Sequence, residues 1–175
     1  MQAYALDKKN GNTLWEVAIA KEMKDLIPDF KKLEIGEIVP IGYQRVNFHT
    51  LFDVKMEDFR RKDRLVAEGH VMNPPATITY ESVVLREIVR IDLKLDALNG
   101  LPVKVADTKN AYMTAPLTEK IWTVLCQEFG EDSGRKAIVV WDFYGLKSAG
   151  ATLWNHLEDC MHHLGFLPCP AELDL

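Results

Sequence analysis

Three groups of residues in this sequence have types and spacings that could do chemistry. The first is "VADTKNAYMTAP", Val105 to Pro116, where a lone carboxylate, Asp107, closes an apolar alternating run and an aromatic, Tyr112, follows five residues later. Taken alone, the same acid is ordinarily a helix cap or turn residue, and the same tyrosine ordinary core packing. The second group is "RRKDR", Arg60 to Arg64, a tight basic cluster. Lys62 and Arg64 are two apart, so on a strand they project from one side and could reach phosphates together. The plain alternative is a solvated charged turn. The third group holds sulfur and imidazole. Cys126, Cys160 and Cys169 are odd in number without C-x-x-C spacing, which argues against a disulfide framework or zinc site. His162 and His163 would point about 100° apart on a helix, and His156 and His163 share a face without a third ligand. Neither a G-x-x-x-x-G-K-[ST] loop nor a G-x-S-x-G elbow occurs.

These residues need elements to hold them. "NTLWEVAIAKEMKDLI" opens with Thr13 and has Glu16 three residues on, a capping-box pattern, and Leu14, Ala18, Ile19, Met23 and Leu26 recur at helical spacing until Pro28. Phe48, Thr50, Phe52, Val54 and Met56 then alternate with mostly polar neighbours. After a charged stretch, Leu65, Ala67 and Val71 alternate again, which predicts an antiparallel hairpin with the basic cluster at its tip and on its second strand. "NPPATITYE" follows as a Pro-stiffened loop. Between Ser82 and Asn99 the pattern is ambiguous, but the stripe Val84, Ile88, Ile91, Leu95, Leu98 and the stop at Gly100 favour helix. "LPVKVAD" reads as a short strand ending at Asp107, and "KAIVVWDFYGL" as another. "SAGATLWNHLEDCMHHLGF" reads as a helix with Leu153, Trp154, Leu157, Met161 and Leu164 on its apolar face, stopped by Gly165. Strands alternating with helices predict a mixed α/β (α+β) chain with a mostly antiparallel sheet.

At 175 residues the chain can build one domain or two small lobes around a shared core. No run approaches the ~20 apolar residues of a membrane helix, and the N-terminus carries no secretory pattern. An intracellular protein, cytoplasmic or nuclear, is expected. The net charge of −5 argues against a free-standing nucleic-acid binder held by bulk charge. That total is unevenly spread, since no Lys or Arg follows Lys147.

The stretch "DTKNAYM" resembles the first catalytic motif of reverse transcriptases, and a wider resemblance to those of Ty1/copia-type retrotransposons covers most of the chain. "KDRLVAEGH" (Lys62 to His70) is similar to the family's "K-A-R-L-V-A-x-G" strand. "YESVVLREIVRI" resembles its "Y-x-x-V-V…R…R" segment, and "ALNGL" is present at Ala97 to Leu101. "FYGLKSAGATLW" (Phe143 to Trp154) looks like its most diagnostic run, "L-Y-G-L-K-[QS]-[AS]-x-x-x-W". The blocks stand in the family's order. The resemblance implies a fingers-like region over residues 1–100 and a partial palm over 101–175, together one incomplete reverse transcriptase domain. It implies Asp107 as a catalytic Mg2+ ligand, Lys62, Arg64 and Tyr112 as contacts to the incoming dNTP, and Gly145, Lys147 and Ser148 as the template and nucleotide platform. The implied partners are an RNA or DNA template-primer, dNTPs and the remainder of a Pol polyprotein, with no membrane.

Where the sequence departs from the family, function is at stake. Relatives supply further carboxylates from a later "Y-V-D-D" hairpin, and no adjacent Asp pair occurs here. One carboxylate cannot anchor two Mg2+ ions against water. These residues alone are therefore expected not to polymerise DNA. Asp63 replaces a small residue between the two basic ones, where its charge would blunt phosphate affinity. Asp92, Lys94 and Asp96 interrupt a helix that is almost wholly apolar in relatives. Two other readings stand beside the polymerase fragment: a non-catalytic nucleic-acid- or partner-binding remnant, and a vestigial chain that exposes an unpaired sheet edge.

Overall fold

A computed structural model describes residues 2–73 and 84–167. The architecture is mixed α/β, as the alternating patterns predict. Helices α1 (Gln2–Asn10) and α2 (Leu14–Leu26) open the chain, followed by the short strands β1 (Phe30–Lys32) and β2 (Gln44–Arg45). The hairpin β3 (Phe48–Val54) and β4 (Arg61–Ala67) comes next, then α3 (Arg86–Asn99), β5 (Ile121–Val124), β6 (Lys136–Val139) and α4 (Ala149–His163). The main sheet runs β1-β6-β5-β2, antiparallel except for the β2–β5 pair, and β3–β4 forms a separate two-stranded ribbon. Strands from before and after residue 100 thus share one sheet. Among the described residues no helix is long and apolar enough to cross a membrane. The expected loop "NPPATITYE", apart from Asn73, lies outside the described residues, as do Ser82 and Val83 of the expected third helix.

Helix α2 forms where the 3.6-residue pattern places it, but its buried face is Trp15, Ile19, Met23 and Leu26. Leu14, expected on that face, is 51% exposed. The expected capping box is absent: Thr13 makes no side-chain cap bond. Asp7 of α1, a helix that the sequence patterns do not reveal, takes its place. Its Oδ2 accepts the Trp15 and Glu16 N–H groups, both at 2.9 Å, and satisfies donors that a helix start leaves unpaired. A carboxylate also suits the positive end of the helix dipole, so the long-range cap displaces the local one.

The β3–β4 ribbon is the antiparallel hairpin that the alternation predicts, with Phe48 opposite Ala67 and Val54 opposite Arg61. Phe48, Thr50, Phe52 and Val54 share the inward face with Asp63, Leu65 and Ala67, while Met56 and Val71 fall outside the strands and are exposed. This face packs on α2, where Trp15 meets Phe52 edge-on at 5.3 Å. Phe30 of β1 ties the ribbon to the main sheet through edge contacts with Phe48 at 5.5 Å and Phe129 at 5.1 Å, and a tilted contact with Phe143 at 5.1 Å. Leu26 and Leu65 are fully buried in this core, where truncation to Ala costs about 2–5 kcal/mol.

Two expectations are corrected. Residues 101–108 are not a strand: they have no regular structure and are exposed throughout. Alternation supplies two faces, but a strand exists only by pairing, and none of the described strands pairs with this segment. The last helix and α3 form as predicted, with Gly100 at φ +63° ending α3, but their apolar stripes are not core. No residue of α3 is buried, and Leu157 and Met161 of α4 and Leu164 just after it are exposed while Ala149 and Ala151 make the inward contact.

Candidate functional site

After β6 the chain runs back along the segment that follows Tyr112. Leu117 N–H donates to Val140 O at 3.2 Å, Asp142 N–H to Ala115 O at 3.1 Å, and Pro116 bridges Trp141. This pairing delivers "FYGLKS" to the end of β4, where Ala67 N–H donates to Tyr144 O at 2.8 Å. Two glycines permit the approach. Gly145 has φ +91°, and a Cβ there would overlap the Ala67 carbonyl; a Cβ on Gly69 would overlap the Gly145 carbonyl.

Alternation on β4 puts Lys62 and Arg64 on the outward face, opposite Asp53 and Leu51. The docked turn sets the Tyr144 ring beneath Arg64, whose Cζ lies 5.9 Å from the ring centre. Tyr112 meets Tyr144 edge-on at 4.7 Å. A contiguous row therefore forms: hairpin cations, the turn aromatic and the aromatic that follows Asp107. Partial desolvation, then the Arg64 and Lys55 charges, lower the Lys62 pKa, while Glu22 of α2 opposes the shift. Such a pair of cations beside an aromatic can take a polyphosphate and the face of a sugar or base.

Asp107 is exposed, and no described residue bonds to it. Just beyond it, Lys109 Nζ pairs with Asp25 of α2 at 2.6 Å, and Asn110 turns the chain at φ +51° into the 3-10 turn Ala111–Thr114 that carries Tyr112. Among the described residues no three His, Cys, Asp or Glu side chains converge to hold a metal ion. The donor set here does not fit Mg2+, because one exposed carboxylate leaves an octahedral ion almost wholly hydrated.

The platform residues are engaged within the fold. Lys147 Nζ donates to Met72 O at 2.7 Å. Ser148 is 1% exposed and its hydroxyl donates to Glu119, so nothing of that side chain is presented to a template. Asp142 is fully buried; desolvation pushes its carboxyl up to about 6, against the hydrogen bond that Oδ1 accepts from Phe143 N–H. Asp63 is 2% exposed on the inward face of β4, with neither carboxylate oxygen hydrogen-bonded. Burial, then the Glu22 charge, raise it to about 6. The expectation that Asp63 interferes among the phosphate contacts is thus corrected: strand alternation aims it away from them. Tyr144, the ring that joins the two halves of the row, was not singled out by sequence reasoning. Its only signal is the aromatic inside "FYGLK".

The sequence matches the family model for reverse transcriptase (RNA-dependent DNA polymerase) over residues 29–175, and the chain belongs to that family. The family implies a nucleic-acid template-primer and dNTPs as substrates. No curated protein and no solved structure matches the chain.

Proposed function

We propose that the chain is the fingers-like region (1–100) and first part of the palm (101–175) of a Ty1/copia-type reverse transcriptase, that Lys62 and Arg64 bind the triphosphate of an incoming dNTP, and that Tyr112 packs under its sugar. The row Arg64–Tyr144–Tyr112 carries this reading, because it places the hairpin cations and the segment after Asp107 on one surface. Asp107 would contribute one ligand to a Mg2+ pair whose other carboxylates, absent from the described residues, must come from elsewhere. No catalytic step is assigned to these residues by themselves, and they are expected not to extend a primer. Gly145 and Lys147 shape and brace the turn on which the nucleotide would sit.

Calorimetric titration of the chain with dATP and ATP tests the reading. Lys62→Ala and Arg64→Ala should each weaken dATP binding about tenfold, as expected for charge-assisted phosphate contacts. Tyr112→Ala should bring the two affinities together by removing the bulk that a 2′-hydroxyl meets. Unaltered dATP affinity in the Lys62→Ala/Arg64→Ala double variant would sink the assignment. Asp107, exposed and without a partner among the described residues, favours a second reading, a non-catalytic remnant whose hairpin tip holds nucleic-acid phosphates. That reading predicts salt-sensitive binding without discrimination between deoxy- and ribonucleotide.

A further inference from the structure

The side of the main sheet that faces away from the core carries a second, unassigned surface. Phe30 and Val139 point inward, and Phe30 meets Phe48 of the ribbon there, so the opposite side looks away from the Arg64–Tyr144–Tyr112 row. On that outer side the register aligns Lys31, Ile138, Trp122 and Arg45 in one row across all four strands. At about 4.8 Å per strand the row spans roughly 14 Å. The next row pairs Val124 with Lys136, and Lys120, exposed one residue ahead of β5, continues the same alternation. Arg45 Cζ and Lys136 Nζ lie 5.6 and 5.9 Å from the Trp122 ring centre.

Four cations share this outer side with one tryptophan, and the outward positions of these strands hold no acid, in a chain whose net charge is −5. Glu34 and Glu37 border the Lys136 corner, where Glu37 is bonded to Glu34 N–H at 2.7 Å within its own turn, and Glu119, next to Lys120 in the chain, accepts the Ser148 hydroxyl. Isolated cations on a sheet would do no more than keep it soluble. A continuous row with a flat aromatic between its charged ends is what a single strand of nucleic acid requires, with phosphates on the cations and an unstacked base on the ring. A duplex hides its base faces and could use only the charges.

We propose that this outer face binds single-stranded nucleic acid, with Lys31, Arg45, Lys120 and Lys136 on phosphates and Trp122 as the stacking platform, separately from the nucleotide surface on the ribbon. The test is fluorescence anisotropy of a labelled oligothymidylate with the full chain between about 50 and 200 mM salt. The pair Lys31→Glu/Arg45→Glu should weaken binding at least tenfold and flatten the salt dependence by about 0.7 per lost contact. Trp122→Leu should weaken it about tenfold at unchanged slope, because stacking releases no counterions. None of these should alter dATP affinity, so this proposal and the nucleotide-site reading fail independently. Should Trp122→Leu melt early by circular dichroism, the exposed charge pair decides alone. The proposal is overturned by no binding at low salt, or by loss of binding in Lys62→Ala/Arg64→Ala with the sheet variants unaffected. It is equally overturned if poly-glutamate displaces the oligonucleotide while Trp122→Leu has no effect, which would mark an acidic-polypeptide surface.

Discussion

At Asp63 charge and burial are set against each other by a single feature, the two-residue period of β4. Its neighbours Lys62 and Arg64 project outward, and the same alternation drives this acid into the interface with α2. There Glu22 faces it from α2 and Glu128 from the 3-10 segment Gln127–Asp132, while Tyr4 of α1 lies close enough to feel its charge. Desolvation favours the protonated form. Asp63→Asn, which removes the charge but keeps the shape, should therefore stabilise the chain at pH 7.5 by about 1–3 kcal/mol, read from urea midpoints. A loss of stability would show that the carboxylate has a partner. Gly145 makes the opposite prediction. A side chain there meets both a strained φ and the Ala67 carbonyl, so Gly145→Ala should cost at least about 2 kcal/mol and, where the fold survives, weaken dATP binding by displacing Tyr144.

Among the elements, α2 and α3 contrast in what supports them. The cap of α2 comes from Asp7 across the α1–α2 turn, so Asp7→Ala should cost about 1 kcal/mol or more while Thr13→Ala stays within a few tenths. Chemical denaturation of the two variants separates the long-range cap from the local capping box. Helix α3 has the stronger periodicity and the weaker support. Val89, Ile91, Leu95 and Leu98 are all at least 42% exposed, and isolated helices of this length are marginal in water. Its amides should exchange hydrogen on the timescale of local fraying, far faster than those of α2, in a mass-spectrometric exchange experiment. Equal protection of both helices would mean that something covers the α3 stripe in solution.

For the whole molecule, three buried carboxyls, Asp29, Asp63 and Asp142, are each raised from 3.8 to about 6 by desolvation. The unfolded chain has them near 3.8, so the folded state binds more protons between that value and 6. Their favourable contribution is complete below pH 3.8 and is lost as pH rises through 6. Each shift is worth about 3 kcal/mol by linkage, and the folded chain should melt several degrees lower at pH 7 than at pH 5. A melting temperature that rises steadily from pH 5 to 7 would contradict the burial of these groups.

What could be read from sequence follows from what each pattern encodes. The β3–β4 ribbon, the extents of α2, α3 and α4, and the common side of Lys62 and Arg64 depend on local periodicity, which the order of residues carries directly. β1, β2 and β5 are two to four residues long, too short for a period to register, and exist because neighbouring strands complete their hydrogen bonds. The run Leu101 to Asp107 shows the converse, a strand pattern that pairs with none of the described strands. The sequence by itself determined the family's ordered motifs and the chemistry of Lys62, Arg64, Tyr112 and Asp107 as residue types. Only the tertiary structure decided that Tyr144 would join the hairpin to Tyr112, that Asp63 would be buried, and that Trp122 would stand among cations. Those are contacts between residues distant in sequence, fixed by strand register and by two glycines that let backbones touch, and no local pattern records them.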